Sequence, residues 1–155
     1  FCLAIHLAAG IHMVSNDFLI PYSSGKETAR YIENRNWQDY PIFATRDVEV
    51  ATVAGYLDKE FYLPELQGLG SYAQWSNRLT LDRSKTLDEV KLYLKKFPKV
   101  NKLLVILSKG SAIRNLDFGD SFEFDKFRLI ADKRFENSFH DSEKFYLYWV
   151  ERVMD

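Results

Sequence analysis

The sequence predicts an α/β fold: a three-layer-type sandwich with a mixed, mainly parallel sheet and a C-terminal antiparallel hairpin. Three observations predict it. Two helix-start signatures, Ser24 with Glu27 and Thr86 with Glu89, alternate with short apolar runs. The run "KLLVILS" at 102–108 is apolar at successive positions, the pattern of a central strand covered on both faces. Near the end, "KFRLIADKRF" and "KFYLYWVERV" flank the polar "ENSFHDSE", which reads as two strands and their turn.

In chain order, Pro21 stops the opening segment, and a helix follows from Ser24 with Ala29 and Ile32 inward and Asn34 to Asn36 at its end. "YPIFAT" is a short buried strand. "RDVEVATVAGYLDK" is a helix with Asp47 as N-cap and Val50, Ala51, Val53, Ala54 and Leu57 as its apolar face. "EFYLP" is a second strand, ended by Pro64, so strand, helix and strand form a compact right-handed βαβ unit. Residues 65–80 show no period and read as a loop. The next helix starts at Thr86, turns Leu87, Val90, Leu94 and Phe97 inward, and stops before Pro98. Residues 109–125 again read as a loop. The core should include Ile42, Val53, Leu94 and Leu104 to Leu107.

With 155 residues, 46% hydrophobic and 15% aromatic, the chain is folded and large enough for a core of its own. Its net charge of −1 gives no general field for nucleic acid or for acidic substrates. The single Cys2 allows neither an internal disulfide nor a thiolate metal cluster. The opening run "FCLAIHLAAGIHMV" carries no charge, yet its fourteen residues fall short of the roughly 20 that span a bilayer. It fits the outer end of a transmembrane helix, an amphipathic surface helix or a buried first element. On the first reading, residues 1–14 are an apolar stub that ends a membrane segment, and 15–155 are one domain.

Most chemical motifs fail on their spacing. "SSGKE" has Ile20 where a phosphate-binding loop needs Gly, and Glu27 where it needs a hydroxyl. His6, His12 and His140 lack ligand spacing. Asp117, Asp120, Glu123 and Asp125 do not alternate as a calcium loop requires, and no serine sits in a nucleophile elbow. Lys91, Lys95 and Lys96 oppose the apolar face of their helix, as a solvated face does. The best ligand candidate is the first strand-to-helix turn, where Thr45, Arg46 and Asp47 stand beyond the carboxyl end of a strand. Arg46 suits an anion and Asp47 a hydroxyl, while the lack of glycine disfavours a dinucleotide. No catalytic set, metal site or cofactor site is expected.

The apolar opening with "PYSSGKETARYI", then "YPIFATRDVEVATVAGYLDKEFYLPE" and "GSYAQW", resembles the region after the last transmembrane helix of GT-C-type glycosyltransferase-like membrane proteins, including bacterial members. These use lipid-linked sugars, and the resemblance rests on about the first half of the chain. It implies a small α/β domain on the extracytoplasmic, periplasmic side of the cell membrane, partnered by the membrane-embedded part of the same chain. The family's catalytic acids lie in an early outer loop with no counterpart here, so no catalytic residue carries over. The implied role is non-catalytic: covering the active site, or assisting acceptor or lipid-linked sugar binding. The alternative is a free-standing α/β domain, with or without a reaction, that binds a small anionic ligand at Thr45 to Asp47.

Overall fold

The computed structural model describes residues 2–72, 85–113 and 116–153. Helix α1 (Cys2–Leu19) leads through residues 20–24 to α2 (Gly25–Glu33). Then come β1 (Ile42–Ala44), α3 (Asp47–Leu57), β2 (Phe61–Leu63), β3 (Gly68–Gly70), α4 (Thr86–Lys96) and β4 (Lys102–Ser108). The chain ends with β5 (Ser121–Phe124), β6 (Phe127–Phe135) and β7 (Phe145–Arg152). Trp75 and the rest of 73–84 lie outside the described residues, as does part of the "GSYAQW" stretch.

The seven strands form one sheet in the order β3-β2-β1-β4-β7-β6-β5. β1 runs parallel to β2 and to β4, which stands at the centre. All other pairings are antiparallel. The sheet is therefore mixed, with the expected β6–β7 hairpin, but antiparallel pairs predominate. The difference comes from β3 and β5, which fall in the two segments read as loops. β3 is the tripeptide Gly-Leu-Gly, too short to show a period, and it folds back on β2 through a 3₁₀ turn at Pro64–Leu66 with Gln67 left-handed. β5 closes on β6 across Asp125 and Lys126, with Asp125 at φ 52° in place of the Asn-Gly pair that usually marks such a hairpin.

Alternation along the central strands builds the three layers. On one face Leu104 and Ile106 of β4 join Phe145, Leu147 and Trp149 of β7 under α2 (Ala29, Ile32) and α3 (Val50, Val53, Ala54). On the other face Leu103, Val105 and Leu107 join Tyr146, Tyr148 and Val150 under α4 (Val90, Tyr93, Leu94). "FYLYWV" is thus buried on both faces. Every residue expected in the core, from Ile42 to Leu107, is buried. Phe97 instead lies at the rim, 37% exposed.

The helix starts fall where expected, but not by the expected capping. Ser24 precedes α2, yet its hydroxyl donates to the carbonyls of Phe135 (3.0 Å) and Glu143 (2.8 Å) and caps nothing. Tertiary partners outcompete the local amide, and the bond ties α2 to the end of β6. Thr86 lies one residue inside α4, after Lys85, so the second capping box also does not form. Asp47 likewise occupies the first helical position of α3, after Arg46.

Helix α1 continues past the expected limit at residue 14, to Leu19. Neither core cluster includes any of its described side chains. Leu3, Leu7 and Ile11 are 85%, 66% and 60% exposed. Among the described residues no helix is long and apolar enough to cross a membrane.

Candidate functional site

The sheet reverses its winding between β1 and β4. From β1 the chain crosses by α3 on one face to β2, and later returns by α4 on the opposite face to β4. A crevice at the carboxyl ends of two such strands is where open α/β sheets bind ligands. Thr45, Arg46 and Asp47 follow β1 there, and Ser108, Gly110 and Ser111 end β4 beside them.

Thr45 and Asp47 are buried, and Arg46 is partly exposed. Arg46 is held left-handed, at φ 63°, a conformation that costs roughly 1–2 kcal/mol for a residue with a side chain. Three contacts hold it. Its backbone N–H donates to Glu65 Oε1 at 2.7 Å, its carbonyl accepts from the amides of Glu49 and Val50, and its guanidinium pairs with Glu49 Oε1 at 2.9 Å. The guanidinium also lies over Gly110, where any side chain would collide with it. Glycine is required here for the close approach of that cation.

Carboxylates surround this arginine. Glu49 is buried and acted on by the charges of Glu143 and Asp47. Glu65 is acted on by Asp47 and Glu49. Burial pushes the carboxyls of both Glu49 and Glu65 above their ordinary range, against the lowering influence of Arg46. Within α3 the Thr52 hydroxyl donates to the Glu49 carbonyl at 2.9 Å, and it reaches Glu143 Oε2, in the turn before β7, at 3.4 Å. The buried side-chain oxygens of Thr45, Ser108 and Ser111, with Glu65 Oε2, have no hydrogen-bond partner among the described residues.

The chemistry is thus that of a neutralised cation in an acidic setting. An anion arriving at Arg46 must displace Glu49 and meet the fields of Asp47 and Glu65. The orphaned hydroxyls can donate to or accept from a neutral polar group. Among the described residues no group of His, Cys, Asp and Glu is arranged to hold a metal ion. The acidic set at 117–125 instead forms surface pairs: Asp117 with Arg134, Glu123 with Arg128, and Asp125 with Lys91.

The raised carboxyls give a pH dependence. A folded pKa above the unfolded value stabilises the fold at low pH, and that contribution is lost as pH rises through the folded pKa. Glu49 and Glu65 therefore raise stability as pH falls through their raised folded pKa values toward the ordinary carboxylate range. Asp141 has the opposite sign. Hydrogen bonds from Lys109 and Lys144 hold it down at about 2, so its contribution is present above the usual carboxylate range and disappears as pH falls toward 2. Urea midpoints should accordingly peak in mild acid. Glu65→Gln should flatten the limb between neutral and mildly acid pH; an unchanged limb would remove Glu65 from the account.

Reasoning from sequence located Thr45, Arg46 and Asp47 at one side of the crevice and missed Glu65, Ser108 and Gly110. Ser108 and Gly110 were within reach, since they follow the strand read as central. Glu65 had no local signal, because only the folding-back of residues 64–70 brings it to Arg46. Comparison of the chain with family models, with curated proteins and with solved structures returns no match.

Proposed function

We propose that this chain is the non-catalytic extracytoplasmic part of a glycosyltransferase-like membrane protein. In this reading α1 belongs with the membrane-embedded part, and the α/β sandwich covers the active site or assists acceptor or lipid-linked sugar binding. One observation carries it: α1 is an apolar helix whose described side chains are exposed and belong to neither core cluster. Apolar surface in water is unfavourable by roughly 25 cal/mol per Å², so a helix of this kind needs a cover that the sandwich does not supply. The alternative, a small anion held at Thr45 to Asp47, draws on the orphaned hydroxyls and is opposed by the carboxylates around Arg46.

Removal of residues 1–19 is the test. The sandwich should keep its fold, with a change in unfolding free energy below about 1 kcal/mol, because none of the described side chains removed belongs to either core cluster. Association with phosphatidylcholine vesicles, measured by sedimentation, should disappear with the helix. A shortened chain that fails to fold would make α1 a structural element and defeat the reading.

A further inference from the structure

The foot of α1 is fixed to the sandwich. After the helix ends, the carbonyl of Pro21 accepts from the Phe139 amide at 2.9 Å, and that of Tyr22 accepts from Ser138 Oγ at 2.6 Å. The Ser24 amide donates to the Glu143 carbonyl at 3.1 Å. These bonds place two segments side by side and leave large apolar side chains outward around the helix foot. Leu19 is 77% exposed, Tyr22 60% and Phe139 64%. Such a collar of apolar and aromatic side chains matches the zone between hydrocarbon and water, where rings sit at headgroup level.

Next to this collar runs a groove of about 400 Å³ between α2 and the end of β6. Pro21 and Ser23, from the helix foot, form part of its wall. The exposed cations Lys26, Arg30 and Lys133 line it against the single carboxylate Glu27, with Tyr31 and Asn137 completing the wall. Arg35 adds a further positive charge nearby, its guanidinium 3.6 Å from the centre of the Tyr31 ring. The opposing charges close by are Glu33 at the end of α2, Asp132 on β6 and Glu136, which accepts from the Tyr146 hydroxyl at 2.6 Å.

We propose that this groove receives the phosphate of an anionic phospholipid headgroup, with Ile20, Tyr22 and Phe139 seated in the interfacial zone beside it. The inference rests on α1 meeting the membrane, and adds to it a fixed orientation of the sandwich on the bilayer surface. The local excess of charge in the groove lining, three cations to one carboxylate, names the occupant. Cations beside an apolar collar gain from a negatively charged leaflet, and a phosphate accepts from Lys and Arg together. A neutral leaflet offers the collar its apolar zone but no net charge for the groove.

The experiment uses the full chain with vesicles of phosphatidylcholine alone and of phosphatidylcholine with phosphatidylglycerol. Anionic lipid should strengthen binding on the order of tenfold or more, and raised salt should weaken the gain. The combined change Lys26→Gln, Arg30→Gln and Lys133→Gln should erase the gain while leaving binding to neutral vesicles intact. Changing Lys95 and Lys96 of α4, on the opposite layer, to Gln should leave the gain in place. Free inorganic phosphate at millimolar level should not displace the chain from vesicles. A gain that survives in the groove variant, or that is absent from the wild-type chain, overturns the proposal. A groove-dependent gain with no binding to neutral vesicles upholds the groove and defeats the reading of α1, so the two failures are distinguishable.

Discussion

Replacing Trp149 with alanine is expected to lower the unfolding free energy by about 3–5 kcal/mol, the largest loss from any single truncation considered. Trp149 is 5% exposed and faces the core under α2 and α3. Its ring meets Trp37 at a centroid distance of 4.8 Å and Tyr40 at 5.1 Å, both edge-to-face. Lys102 Nζ stands 4.4 Å from its ring centroid, so a cation–π contact adds to the packing. Trp37 and Tyr40 lie on the connection between α2 and β1 and lose their shared partner when the indole is removed. The cavity term therefore adds to the transfer term. Urea midpoints followed by circular dichroism measure the loss, since the change removes a fluorophore. A double change with Trp37→Ala should fall short of additivity by roughly 0.5–3 kcal/mol, because the two rings share one contact. A loss below about 1 kcal/mol would show that the cluster packs loosely.

Gly25→Val should follow closely, at about 3 kcal/mol or more, through overpacking. Gly25 opens α2 against α3, and a Cβ there would stand 2.5 Å from Thr52 Oγ1 and 2.9 Å from Thr52 Cβ. Thr52 has little room to yield, because its hydroxyl is committed to the Glu49 carbonyl. Gly25→Ala gives a sharper test, for helix propensity alone favours alanine by up to about 1 kcal/mol. The close approach predicts the opposite sign. Thr52→Ala in the same chain should recover part of the loss, and a stabilised Gly25→Ala protein would refute the contact.

Particular residues show why some of this was legible beforehand. Leu103 to Leu107 and Val50 to Ala54 carry their position in their own period, since burial on one or two faces repeats with the secondary structure. Pro21, Pro64 and Pro98 mark ends because their geometry is local. Gly68–Gly70 and Ser121–Phe124 carry no such mark. Both are strands because a neighbour offers hydrogen bonds, which short-range patterning does not encode. Ser24 makes the same point for side chains: its place before a helix is local, while its two acceptors lie more than a hundred residues away. At the crevice, the β1 turn was legible from strand polarity alone. Glu65, which accepts from the Arg46 amide, was not, for it arrives from a separate turn.

The two borders of the sheet have a consequence for how copies of this protein meet. Among the described residues the outermost strands are β3, three residues long, and β5, four residues long. Each offers only a few open backbone groups, and Glu123 on β5 pairs with Arg128. Short and charged borders resist templated strand addition, the usual route by which β-rich domains gather into fibrils. The longest run of exposed apolar side chains is on the helix at residues 2–19, away from both sheet borders. Clusters formed in water should consequently disperse in mild detergent with native strand content intact, since a micelle covers the helix and leaves the sheet no reason to open.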